Sequence, residues 1–99
     1  MAQKEIIWSD LAKLQFSNVL EFYVFRNGSI TYSLKLVNEV EYLLKTLSKF
    51  EFIGRLTSNK TTRVIVMKVY LIFYEINEDK IEIVSFWDNR QNNEYSKVK

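Results

Sequence analysis

RVIVMKVYLIFYEINEDKIEIVSFW, residues 63–87, decides the fold of this chain. Three runs within it, Arg63 to Met67, Tyr70 to Ile76 and Lys80 to Trp87, are dense in Val, Ile, Phe and Tyr, side chains that pack well on a pleated surface. The links between them are short: a few residues around Lys68, then Asn77-Glu78-Asp79, a turn of hairpin length. A parallel return needs a crossover of a dozen residues or more, so the three runs form an antiparallel meander. The middle run, Tyr70-Leu71-Ile72-Phe73-Tyr74, is apolar at odd and even positions alike, which marks a central strand covered on both faces. Helices can cover one face, and a partner could cover the other.

Upstream of the meander the apolar period changes. Lys4 to Trp8 reads as a short strand because Ile6, Ile7 and Trp8 supply β-branched and aromatic bulk. Ser9 can accept a bond from an orphan N–H of a first helical turn, and Asp10 puts negative charge at the positive end of the helix dipole. Ala12, Phe16, Val19, Leu20 and Tyr23 then recur at spacings of three and four, so a helix runs from about Asp10 to Phe25. Arg26-Asn27-Gly28 breaks it, with Ser29 placed to cap a second helix. Ile30, Leu34, Val37, Val40, Leu44 and Leu47 form the stripe of that helix, widened by Leu36, Leu43 and Phe50. Two helices joined by so short a break lie antiparallel as a hairpin. Glu51 to Thr62, with Gly54, Ser58 and Asn59, reads as loop, and Asp88 to Lys99 as a polar, irregular tail. The expected fold class is α+β: an N-terminal strand and an antiparallel helical hairpin packed on an antiparallel sheet, in the order β-α-α-β-β-β.

Composition bounds the chemistry. The 99 residues make one domain, residues 1–99, with 47% hydrophobic and 26% charged residues, a globular balance. The 15% aromatic share is high for this size, which accords either with rings on a partner-covered surface or with surplus rings in the core. Cysteine is absent, so thiolate metal sites, Cys nucleophiles and disulfides are excluded. Histidine is absent too, which removes the usual general base and imidazole ligand; no metal and no cofactor is expected. No stretch has signal-peptide character or the length to span a bilayer, so the expectation is a cytoplasmic chain with no membrane partner. A net charge of +2 is mild, but Arg55, Lys60, Arg63 and Lys68 follow one another with no acid between them. Such a segment suits an anionic partner, or it is an ordinary solvated loop.

The element order, together with Gly54-Arg55 after the second helix, Arg63 opening the next strand, the aromatic central strand and the closing run Ile81-Glu82-Ile83-Val84-Ser85-Phe86-Trp87-Asp88-Asn89-Arg90-Gln91-Asn92, resembles the RelE/ParE superfamily of bacterial type II toxin–antitoxin systems. Its members often follow a Trp-Asp-Asn-Arg-Gln-Asn segment with proline, where this chain has Asn93. The resemblance implies a toxin neutralised by a cognate antitoxin, whose flexible segment would add a helix or strand to exposed apolar surface, with Leu71, Phe73 and apolar positions of the helical hairpin as contacts.

Two targets are open within that resemblance. The RelE branch implies binding to the ribosome and cleavage of mRNA, in which a 2′-hydroxyl attacks the adjacent phosphate and the protein supplies a base, an acid and cations. Arg55, Arg63, Lys68 and Arg90 would carry charge there, and Tyr70, Tyr95 or Glu75 would handle protons. Leu71 stands where RNA-cleaving members tend to place arginine, which argues against cleavage. The ParE branch implies inhibition of DNA gyrase by surface contacts and needs no catalytic set. Its target-binding candidates are Arg55, Arg63, Lys68, Trp87, Asp88, Arg90, Gln91 and Asn92. This reading is preferred, with the ribonuclease second and a non-toxic adaptor of the same fold third. Each candidate also has a plainer role: Trp87 as sheet packing, Arg55 and Arg63 as partners of Glu51 or Glu82, Asp88 as partner of Arg90, and Tyr70 and Tyr74 as core.

Overall fold

A computed structural model describes residues 4–90. The elements run β1 (Glu5–Trp8), α1 (Asp10–Asn27), α2 (Thr31–Lys49), β2 (Arg55–Leu56), β3 (Thr62–Met67), β4 (Tyr70–Ile76) and β5 (Lys80–Asp88). The strands form one sheet in the order β1-β5-β4-β3-β2. The meander expected from residues 63–87 is present, with Ile65 opposite Ile72 and Ile72 opposite Phe86. A register shift at Phe73/Tyr74 marks a bulge in the β4–β5 pairing. The sheet is mixed rather than wholly antiparallel, because β1 lies alongside β5 in parallel register, Ile6 opposite Ile81 and Trp8 opposite Ile83. Nearly the whole chain intervenes between these two strands, so no short link constrains their direction.

Both helices cover one face of the sheet. At the start of α1, Ser9 Oγ accepts a hydrogen bond from the Ala12 amide at 3.0 Å and donates to the Val84 carbonyl at 3.2 Å, so the cap also ties the helix to β5. Gly28, at φ 68°, ends α1 in the left-handed region while its amide reaches the Val24 carbonyl at 2.9 Å. Ala12, Val19 and Tyr23 are buried, and Phe16 stacks between Trp8 and Phe86 at centroid distances of 5.2 and 4.7 Å. The hairpin is antiparallel: Tyr23 meets Tyr32 at 4.8 Å and Ser33 Oγ donates to the Leu20 carbonyl, while Phe16 lines a groove with Val40 and Leu44.

The second helix departs from expectation at its ends. Ser29 Oγ does accept from the Thr31 amide, but Ile30 is the residue that flanks the first helical turn. The buried stripe is Ser33, Leu36, Val40, Leu44 and Leu47, whereas Ile30, Leu34 and Phe50 are exposed. Ser33 can occupy an interior position because its hydroxyl is satisfied by a carbonyl of α1, and the packed face runs through Ser33 and Leu36 rather than Leu34. On α1, Leu11, Leu14, Phe22 and Phe25 are also exposed, forming an apolar stripe around Asn18 that faces away from the sheet.

The stretch from Glu51 to Thr62 is not wholly loop. Arg55–Leu56 pairs with β3, Arg55 opposite Val64 and Leu56 opposite Arg63. The Asn59 carboxamide oxygen then accepts from the amides of Thr61 and Thr62, both at 2.9 Å, and shapes the β2–β3 turn. Asp88, expected at the start of the tail, is instead the last residue of β5 and wholly buried. Gln91, Asn92, Asn93 and Tyr95 lie outside the described residues. Among the described residues no helix is long and apolar enough to cross a membrane, and no cluster of three or more His, Cys, Asp or Glu could hold a metal.

Candidate functional site

Where α1 ends, α2 begins and β5 finishes, five polar side chains converge beneath the helical hairpin. The Tyr23 hydroxyl donates to Asp88 Oδ2 at 2.8 Å and receives a bond from an Arg90 guanidinium nitrogen at 2.5 Å. The same nitrogen reaches the Tyr70 hydroxyl at 3.3 Å, and the Tyr70 and Tyr32 hydroxyls share a hydrogen bond of 2.5 Å. Asp88 Oδ1 accepts from the Arg90 amide at 2.9 Å and faces its Nε at 3.4 Å. The guanidinium lies over the Tyr23 and Tyr70 rings at 5.2 and 5.9 Å, an arrangement in which the flat cation meets the electron-rich ring faces. Burial, and then the bond to Asp88, push the Tyr23 phenol up to about 12. Burial and the bond to Tyr32 push Tyr70 higher still. These phenols therefore stay protonated near neutral pH, and their hydroxyls are already engaged.

A second polar anchor holds the α2–β2 connection. The buried Tyr74 hydroxyl donates to the Glu51 carbonyl at 2.7 Å and accepts from the Gly54 amide at 2.9 Å. Arg63 donates to the Gly54 carbonyl at 2.6 Å and lies over the Phe52 ring at 4.9 Å. Gly54 does not adopt a positive φ. It is required because a Cβ there would stand 2.6 Å from the Tyr74 ring and hydroxyl. Burial pushes the Tyr74 phenol up, opposed by the Gly54 amide bond.

These two anchors separate the cations that the sequence grouped. Arg55 shares a sheet face with Val64 and Phe73, whereas Arg63, one residue along the ladder, sits on the helix side with Tyr74. Lys68 is at the β3–β4 turn, at φ 59°, and its ammonium bonds Glu39 of α2 at 2.8 Å. Arg90 is at the other anchor. Of the expected ion pairs, only Asp88 with Arg90 forms among the described residues; Glu51 instead meets Lys4 at 3.2 Å. Glu75 Oε2 accepts from the Thr62 hydroxyl at 2.8 Å and lies opposite Glu82 in the sheet, distant in register from Tyr70.

The helix-free face of the sheet carries Leu71, Phe73 and Trp87. Leu71 is opposite Trp87, and the Phe73 and Trp87 rings meet edge to face at 6.3 Å. All three are half-buried, and Tyr70 and Tyr74 are core, as their plainer reading held. Sequence reading missed Tyr23 and Tyr32 as parts of a polar cluster, because helical spacing assigned Tyr23 simply to the apolar face. The available signal was the presence of tyrosines on three elements that a hairpin over a sheet must bring together, next to an Asp two residues before an Arg.

The fold has a solved counterpart. It matches a chain of the "Chromosomal ParDE TA system from P. aeruginosa" with a TM-score of 0.72, over 85% of this chain and 94% of that one, at 17% identity, a likeness of fold. The family model described as "ParE toxin of type II toxin-antitoxin system, parDE" matches residues 6–93, and the chain belongs to that family. No curated protein is similar in sequence at a significant level.

Proposed function

We propose that this chain inhibits bacterial growth by binding and stalling DNA gyrase, and that an antitoxin encoded beside it holds it inactive. The observation that carries the non-catalytic part is the state of Tyr70, the proton-handling tyrosine candidate among the described residues. Cleaving RNA through its 2′-hydroxyl needs a base and an acid within reach of one phosphate. Tyr70 is buried with its hydroxyl tied to Tyr32 and Arg90, and its raised pKa makes it a poor base. The cations that would hold the phosphate are dispersed: Arg55 and Arg63 on opposite sheet faces, Lys68 paired with Glu39. Family membership supports the toxin role, and a binding mechanism needs only surface.

The antitoxin's contact is assigned to the outer stripe of the hairpin, Leu11, Leu14, Phe22 and Phe25, continued by Ile30 and Leu34 of the second helix. These side chains are more exposed than Leu71 and Phe73 on the opposite side of the molecule. An amphipathic helix is the partner that matches such spacing.

The test is induction of the chain alone in a bacterium, with growth and mRNA 5′ ends followed in vivo and supercoiling by purified gyrase measured in vitro. Blocked supercoiling with intact mRNA is expected. Codon-phased cuts with normal supercoiling would establish the ribosome-dependent ribonuclease instead, and unimpaired growth would leave a non-toxic adaptor.

A further inference from the structure

The connection between α2 and β3 combines two properties that seldom occur together by chance: its backbone is fixed from inside, and its side chains are apolar and in water. Phe50, Phe52, Ile53 and Leu56 are 61, 65, 48 and 44% exposed. Fixing this backbone consumes a buried phenol, Tyr74, which bonds both Glu51 and Gly54, a buried-side approach only glycine permits at position 54, and the Arg63 guanidinium, which holds the Gly54 carbonyl and supports the Phe52 ring. Downstream, two residues of β-pairing and the Asn59-centred turn fix the path to β3. A loop meant only to link two elements would place polar side chains in solvent. A preordered loop that presents aromatic and aliphatic side chains has already met most of the ordering cost of binding.

The charge around these side chains gives the chemistry of the partner. Lys49 and Arg55 flank the apolar residues and Lys60 stands at the turn tip, all exposed. The one acid within the segment, Glu51, is paired with Lys4. An apolar centre with a cationic rim is complementary to an acidic protein surface that carries an apolar pocket. Ile53 and Leu56 favour protein over nucleic acid, since aliphatic side chains cannot serve as stacking platforms for bases. We propose that residues 50–56 are the element with which this toxin grips its target, with Phe52 and Ile53 entering an apolar pocket and Arg55 meeting acidic groups on its rim. This rests on the reading of the chain as a toxin that acts by binding, and it separates the target surface from the antitoxin surface on α1.

The experiment compares the wild-type chain with F52A/I53S and with Arg55→Glu, each purified as its complex with the antitoxin and then released. Thermal melting and antitoxin affinity check that the variants fold. The readouts are growth arrest on induction and the concentration that halves gyrase supercoiling. The double variant should keep wild-type antitoxin affinity and require at least ~30-fold more protein to inhibit, the scale of losing a central anchor residue. Arg55→Glu should weaken inhibition ~10-fold at low salt, with the deficit shrinking as salt rises. Unchanged inhibition by the double variant would overturn the assignment, as would a loss of antitoxin affinity with inhibition intact, which would make the loop an antitoxin contact. Photocrosslinks from position 52 to nucleic acid rather than to a protein would also overturn it. If the wild-type chain arrests growth but leaves supercoiling untouched, gyrase is the wrong target, and the loop then stands or falls on the growth arrest of the same variants.

Discussion

Asp88 shows how one residue can look different in sequence and in space. In the sequence it opens a polar stretch and pairs naturally with Arg90 two residues on; in the fold it is wholly buried and accepts from Tyr23 as well as from the Arg90 amide. Asp88→Ala leaves the Tyr23 hydroxyl without its acceptor in a buried place and takes from Arg90 its carboxylate partner. Urea denaturation should register a loss of about 1–3 kcal/mol; an unchanged midpoint would mean that solvent replaces the carboxylate freely. The same cluster sets a pH dependence. The Tyr23 phenol is raised from 10 in the unfolded chain to about 12 in the fold, so the folded state holds its proton more tightly. Its contribution to stability is therefore complete below pH 10 and lost as the pH climbs from 10 to 12. Stability measured across that window should fall less steeply in Tyr23→Phe than in the wild type.

Among the elements, the α2–β2 connection depends most on a single small residue. Gly54→Ala would drive a methyl against the Tyr74 ring, which is itself locked by two hydrogen bonds and cannot step aside cheaply. A loss of about 1–3 kcal/mol is expected by chemical denaturation, the usual cost of forcing extra volume into a packed site. An equally stable variant would show that the Tyr74 ring has room to move. Sequence reading picked out Gly54 as part of a loop, whereas the constraint on it is a side chain from a strand twenty residues later. The neighbouring β2 was missed because Arg55–Leu56 has no alternation long enough to register as a strand; its pairing is imposed by the edge that β3 offers.

At the scale of the whole molecule, most of the exposed large apolar side chains among the described residues fall into two regions with different neighbours, the hairpin stripe from Leu11 to Leu34 and the cation-rimmed loop from Phe50 to Leu56, while Tyr42 and Val66 stand outside both. If the first takes the antitoxin, Leu14→Glu combined with Phe25→Glu should reduce antitoxin affinity by about two orders of magnitude, the sum of two anchor losses. Stability should stay within about 0.5 kcal/mol, because neither side chain belongs to the core and Phe25 is 91% exposed. Calorimetric titration with the antitoxin, together with failure of the antitoxin to rescue growth, checks this; unaltered affinity would move the antitoxin elsewhere.

How the chain divides into elements was legible in the sequence. The β-rich runs of residues 63–87, the Ser9 cap, the Gly28 break and the helical spacing of Ala12 to Tyr23 each act over a few residues, and backbone preference and apolar period are local properties. Which face of α2 is buried was decided by the packing of Leu36, Val40, Leu44 and Leu47 into the core, with Ser33 satisfied by a carbonyl on α1, and the parallel seat of β1 beside β5 by contacts about 75 residues apart. The polar cluster and the anchored loop belong to that second kind. Tyr23, Tyr32, Tyr70, Asp88 and Arg90 come from four places in the chain, and the burial that raises the phenols and the hydrogen bonds that hold the guanidinium exist only once packing has brought them together. Sequence determined the pieces and their kinship because those rest on local chemistry; tertiary structure decided which side chains are held inside and which are offered to a partner, because exposure is a property of the assembled surface.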